Sequence, residues 1–257
     1  MEWGVFTKAV DELAPHLMSA ILYFQGEPLL HPEFLKMVNY CHQKRIYTYT
    51  STNAQLIDDD MARKIVESGL DKIIISVDGL TPGVYATYRR GGNLNNTIEA
   101  IRLLAAWKKR LKTRYPVIEA QFIVMKHNEF QMYDFRYEAK KWGADKAVWK
   151  TAQIDLRRVG SWVPVQRVFS RYKKAADGSW TLKRSLKNRC WRQWSSAVVA
   201  VNGDVIPCCF DKNGRYAFGN IKDASFVRIW NGEKATAFGN AIRKNRKQFE
   251  MCRNCTG

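Results

Sequence analysis

Apolar and polar positions repeat with two periods along the first part of the chain, and the switches between them mark out the elements. In 2–17, Trp3, Phe6, Val10 and Leu13 share one stripe, which predicts an amphipathic helix. A short apolar run at 20–24 is expected to be a buried strand. Residues 32–45 read as a helix with Phe34, Leu35, Val38 and Cys41 inward, and 46–50 as a strand. Residues 58–68 predict a helix, because the acidic first turn suits the helix dipole and Gly69 closes it. The clearest buried strand is 72–77, with Ile73-Ile74-Ile75 at its centre. A helical turn near Tyr85 and a Gly91-Gly92 break lead into a long helix at 95–112. A strand at 117–125, a helix at 130–142 and a strand at 146–151 follow.

Five strands separated by helices predict right-handed βαβ units and a parallel sheet, so an α/β fold. The order opens on a helix, which leaves two expectations. Either that helix packs on the sheet with no strand before it, or a strand and loop lie upstream of Met1. Periodicity weakens over 154–189, read as a bridge to a second module. In 197–207 an Asn202-Gly203 pair between apolar runs predicts a β-hairpin, and a helix is expected at 226–230. The division is therefore 1–153, a bridge at 154–189, and a small cysteine-rich module at 190–257.

Composition adjusts this picture in three ways. A hydrophobic content of 46% is ample for a packed core. No apolar run approaches the roughly 18 residues of a membrane span, and the N-terminus lacks the layout of a signal peptide, so no membrane association and a cytoplasmic location are expected. The formal net charge is +18, concentrated in part between Thr151 and Arg192, where eleven lysines and arginines stand against Asp155 and Asp177. Such a surface attracts anions, from acidic peptides to nucleic acid, or is simply a solvated basic face. Trp162, Phe169, Tyr172 and Trp180 interrupt it, so it is no continuous basic helix.

Candidate chemistry falls in two places. Ligands of parallel α/β folds bind beyond the carboxyl ends of the strands. Here those ends carry Gln25-Gly26-Glu27-Pro28, then Ser51-Thr52-Asn53, then Ser76-Val77-Asp78-Gly79, with Gln121 in the fourth strand run aimed at the mouth of the sheet. A carboxylate in a Gly-Glu-Pro loop suits an ammonium group of a small ligand. The same loop also suits a plain strand-to-helix connector, and the others are ordinary turn residues. The second place is the cysteine set. Cys252 and Cys255 can bite one metal centre, and Cys190 and Cys208 complete four thiolates, which suit zinc or a cubane iron–sulfur cluster; spacing does not choose between them. Of the adjacent pair, Cys208 is favoured over Cys209, because neighbouring side chains in extended backbone point opposite ways. Cys41 reads as core, and His31 and His127 as loop residues.

Together these motifs resemble radical S-adenosylmethionine enzymes with a SPASM or twitch-type auxiliary cluster domain. Gln25-Gly26-Glu27-Pro28 is similar to the family's Gly-Gly-Glu-Pro loop, with Gln in place of the first Gly, and Leu29-Leu30-His31-Pro32 continues the likeness. Cys190, Gly203, Cys208, Gly219-Asn220-Ile221, Ile229-Trp230, Cys252 and Cys255 resemble the cluster domain. The resemblance implies a partial (β/α) barrel, five strands of a six-unit radical SAM barrel, followed by a SPASM/twitch domain. It implies S-adenosylmethionine bound by Gln25, Gly26, Glu27, Pro28, Ser51, Asn53, Ser76 and Asp78. It further implies one auxiliary 4Fe-4S cluster on Cys190, Cys208, Cys252 and Cys255, an external electron donor, and a substrate such as an acidic peptide or protein. The family's three-cysteine motif, which holds the radical-generating cluster, is nowhere in this sequence. The chain thus reads as a fragment, an internal start or a degenerate member, with S-adenosylmethionine binding incomplete or lost. The alternatives are a catalytically silent iron–sulfur binding module and a zinc-containing nucleic-acid-binding protein; of these partners, nucleic acid is the less expected.

Overall fold

The strands pair in the order the periodicity requires, with the buried positions in the central β2, β3 and β4. In the computed structural model, which describes residues 1–155, 159–184 and 187–255, five parallel strands lie side by side in sequence order. They are β1 (Ser19–Ile21), β2 (Tyr47–Thr52), β3 (Lys72–Ser76), β4 (Val117–Val124) and β5 (Lys146–Thr151). Residues paired across strands share a face, so the register sorts the sheet into two surfaces. Thr50 pairs with Ile73 and Ile73 with Ile118, and the isoleucines of that row enter the core beneath the helices. The next rung, Ser51, Ile74 and Glu119, belongs to the opposite face.

After α1 (Trp3–Leu13), the helices bury their apolar spacing against that core, beginning with α2 (Phe34–Gln43). α3 (Asp59–Glu67) starts where the Asp58 side chain accepts the Met61 N–H, and it buries Ala62, Ile65 and Val66. α4 (Pro82–Tyr88) is the expected turn near Tyr85. α5 (Leu94–Arg110), capped by Asn93, buries Ala100, Ile101 and Leu104. α6 (Met132–Trp142) buries Met132, Phe135 and Ala139. No helix among the described residues is long and apolar enough to cross a membrane.

Carboxylates pin the strands to one another. Asp71, just before β3, accepts the Thr48 N–H of β2 at 2.7 Å, and Asp145, just before β5, accepts the Ile118 N–H of β4 at 2.7 Å. Beyond the strand ends, Glu27 accepts the Asn53 N–H at 2.8 Å and Asp78 the Ile123 N–H at 2.6 Å.

Differences from the sequence reading are local. β1 is shorter than the apolar run and is not the buried strand expected there, since Ile21 is exposed, although the Leu22 N–H still reaches the Tyr49 carbonyl at 2.9 Å. α1 stops at Leu13, because Pro15 diverts the chain into a 3-10 turn at Ala14–His16. The weakly periodic stretch after Thr151 is held by specific bonds. The Tyr172 hydroxyl bridges the N–H and carbonyl of Ile154, and Glu129 accepts the Val165 and Gln166 N–H groups. Two short strands, β6 (Tyr172–Lys174) and β7 (Trp180–Leu182), form their own sheet within the expected bridge.

The chain divides into two compact units, residues 18–172 and residues 1–17 with 173–257. In the second, α7 (Arg192–Ser195) precedes a three-stranded antiparallel sheet of β8 (Val198–Val199), β9 (Asp204–Ile206) and β10 (Gly219–Asn220). The expected hairpin is present, but its turn runs over 200–203, with the Gly203 N–H on the Ala200 carbonyl and only Gly203 left-handed, at φ +95°. This is a type I turn followed by a bulge rather than a two-residue turn. α8 (Phe226–Trp230), α9 (Glu233–Asn245) and α10 (Glu250–Arg253) complete the unit. The opening helix belongs here as well. Val5 and Ala9 of α1 lie in the apolar cluster with Phe226, Phe238 and Ile242, and Glu12 accepts the Phe226 N–H.

One close approach positions the strand-end loop after β3. A Cβ on Gly79 would lie 2.6 Å from the Tyr85 backbone nitrogen. Gly79→Ala is therefore expected to cost roughly 1–3 kcal/mol of stability, read as a lower urea midpoint at unchanged slope.

Candidate functional site

The polar strand ends sit on the larger unit. After β1 the chain turns at Gly26, φ +81°, and Pro28 opens a 3-10 turn at Pro28–Leu30. Between them the Glu27 carboxylate takes three hydrogen bonds: the Leu29 N–H at 3.2 Å, the Thr52 hydroxyl at 2.6 Å and the Asn53 N–H at 2.8 Å. The loop is thereby stitched to the end of β2, and Glu27 and Asn53 stand together. The Asn53 side chain is turned to its own loop, where Oδ1 accepts the Gln55 N–H at 3.0 Å. Ser51 and Ser76 lie on the sheet face away from the helix-covered core, and Ser76 pairs with Gln121.

Asp78 is placed differently. It is fully buried in left-handed backbone, φ +58°. Its carboxylate accepts Arg89 Nε at 2.7 Å and the Ile123 N–H at 2.6 Å, while its carbonyl accepts Asn128 Nδ2 at 2.9 Å. Burial pushes the carboxyl above its usual range, and Arg89 and the Ile123 N–H pull the other way. All these contacts are internal, so Asp78 fixes the shape of the rim.

Sequence reasoning missed the partners. Arg89, Asn128 and Gln55 are as central to the rim as the strand-end residues. Gln55 bonds to the Asn93 N–H at 2.8 Å and to the Thr97 hydroxyl at 2.9 Å. No spacing rule links them to the loops they serve, because their contacts span long sequence separations. His31 is a loop residue whose Nδ1 accepts the Glu33 N–H at 3.2 Å. His127 follows β4, edge-on to Trp162 at 5.4 Å between ring centroids. Both of its ring nitrogens are buried without a hydrogen-bond partner among the described residues, and burial lowers its pKa.

The second locus is a cavity in the smaller unit. Cys190, Cys208, Cys252 and Cys255 all line it, with Arg246 and apolar Phe210, Phe238 and Ile242 around them. Cys190 precedes α7, Cys208 follows β9, and the other two come from α10 and its end. Cys209 is exposed and faces Arg192 Nη1 at 3.8 Å. Desolvation raises the Cys208 thiol to about 11. Burial also raises Cys252, opposed by Arg246. Cys41 is buried in α2, its thiol likewise raised to about 11 by burial.

The two candidate centres ask different things of the four thiols. Around one zinc, four thiolates would stand about 3.8 Å apart, as bonds of about 2.3 Å in a tetrahedron require. Among the described residues, no three His, Cys, Asp or Glu side chains are grouped closely enough to hold a single ion. Four thiols lining one apolar-walled cavity suit a cubane, which takes one cysteine at each iron.

Residues 2–121 match the radical SAM superfamily, and residues 190–256 match the SPASM iron–sulfur cluster-binding domain. The whole chain aligns at 26% identity with 79% of the tungsten-containing aldehyde ferredoxin oxidoreductase cofactor-modifying protein of Pyrococcus furiosus. With the mycofactocin maturase of Mycobacterium ulcerans it is 25% identical, over 86% of this chain and 64% of that protein. In structure it resembles Streptococcus suis SuiB bound to S-adenosylmethionine, with a TM-score of 0.69 at 12% identity, over 99% of this chain and 65% of that one. That last likeness concerns the fold.

Two measurements follow from the geometry. Glu27→Ala strands the Thr52 hydroxyl and the Asn53 N–H and is expected to cost roughly 1–3 kcal/mol in urea unfolding. In metal-free protein at pH 8, a thiol with a pKa of about 11 is roughly one part in a thousand thiolate. Mass spectrometry after timed alkylation should therefore find exposed Cys209 modified first and Cys41 and Cys208 last. The lag at those two should shrink as the pH is raised towards 11.

Proposed function

Since the chain belongs to the radical SAM superfamily and carries a SPASM iron–sulfur cluster-binding domain, we propose that it serves S-adenosylmethionine radical chemistry that modifies a peptide, protein or cofactor substrate. One auxiliary 4Fe-4S cluster is held by Cys190, Cys208, Cys252 and Cys255. The convergence of these four thiols on one cavity, with Cys209 outside it, carries the proposal. When bound, the cluster supplies one-electron chemistry beside the substrate.

The protein's own groups divide the remaining work. Glu27 fixes the 25–28 loop, so that the backbone at Gln25, Gly26 and Pro28 presents polar groups to the ammonium end of S-adenosylmethionine. Ser51, Asn53 and the buried Ser76 offer polar groups at the strand ends. Asp78 acts through Arg89 and the β4 backbone, holding the end of β3 in place. The chain's basic excess suits an acidic substrate or an acidic electron donor, and a cytoplasmic setting suits free thiols that ligate iron. The relatives, a cofactor-modifying protein and a maturase, favour a peptide or cofactor substrate over nucleic acid.

A second reading is a catalytically silent module that keeps the cluster and the rim for binding. Anaerobic reconstitution separates the readings. Iron and sulfide should bind, Cys→Ala at 190, 208, 252 or 255 should lose most of both, and Cys209→Ala should retain them. Zinc without sulfide would sink the cluster assignment. With reductant and S-adenosylmethionine, release of 5′-deoxyadenosine from this chain would exclude the silent module. Retention of S-adenosylmethionine without cleavage would favour it.

A further inference from the structure

We propose that Arg246 is a positioning residue that holds the auxiliary cluster's ligand loops and supplies a fixed buried charge that raises its reduction potential. This rests on the reading of the four thiols as cluster ligands. Arg246 opens the 3-10 turn Arg246–Gln248 between α9 and α10 and is 3% exposed. Its Nη2 donates to Cys255 Sγ at 3.0 Å, and its Nη1 to the carbonyl of Arg189 at 3.1 Å. Its backbone N–H is held by Asn188 Oδ1 at 3.0 Å, and Asn188 Nδ2 in turn donates to the Lys244 carbonyl at 2.8 Å. One side chain thus ties the segment leading to Cys190 to the segment bearing Cys252 and Cys255.

The electrostatics are unusual for an arginine. A guanidinium stays charged in a protein, and burying a charge without a partner is costly. Among the described residues no carboxylate pairs with Arg246, and its Nε is buried without a hydrogen-bond partner. The groups that can answer its charge are the cysteine sulfurs around the same cavity. A cubane with four thiolates is a dianion, and accepting one electron makes it a trianion, with no bond broken and no proton required. A fixed cation at hydrogen-bond distance from a ligating sulfur favours the more negative form, because charge and hydrogen bonds to sulfur set the potential of such clusters. Lys and Arg differ in fork geometry but share the charge, so substitutions can separate positioning from electrostatics.

The test uses the full chain, reconstituted anaerobically, with iron and sulfide assayed and the midpoint potential read by redox titration followed by electron paramagnetic resonance. Wild-type protein that binds no iron and sulfide would sink the cluster reading before Arg246 is tested. Given a loaded wild type, Arg246→Gln is expected to shift the potential downward, and Arg246→Lys to stay nearer the wild-type value. A Gln variant that fails to load while the Lys variant loads also supports the charge. The proposal is overturned if the loaded Gln variant keeps the wild-type potential, if Lys falls as far as Gln, or if neither variant loads.

Discussion

A carboxylate that accepts a backbone N–H from the neighbouring strand is the interaction on which the sheet's register and its rim both depend. Asp71 and Asp145 do this where strands begin, and Glu27 and Asp78 where they end. A parallel ladder leaves unpaired N–H groups at both margins, since its loops leave at once for a helix. A charged acceptor is about twice as strong as a neutral one, and each such bond contributes on the order of 1.5–3 kcal/mol. The rim is therefore rigid before any ligand arrives, as a site must be if it is to orient a small charged molecule.

The same economy explains why the strand-end residues differ in kind. Glu27 and Asp78 spend their acceptors on the protein, whereas Ser51 and the buried Ser76 stand on the sheet face opposite the helix-covered core. At this rim the charged side chains are engaged by the protein's own groups.

In the smaller unit burial plays the opposite part. Desolvation holds the Cys208 and Cys252 thiols protonated when no metal is bound, so loading the site must release protons. Arg246 works against that penalty from inside the same cavity. The α1 helix, far away in sequence, seals the apolar cluster on which α8 and α9 pack, so the first residues of the chain help to stabilise the fold around its last cysteines.

The sequence alone determined the alternation of strands and helices, the parallel sheet, the polar strand ends and the four-thiol set. Each of these is written in local periodicity or in residue types whose chemistry is narrow. Tertiary structure alone decided where α1 packs, that Arg89, Asn128 and Gln55 complete the rim, that the turn at Gly203 carries a bulge, and that Arg246 faces Cys255. The reason is physical. Periodicity fixes which face of an element is apolar, but not which apolar face it meets, and a buried charge is read only against the partners that folding brings to it.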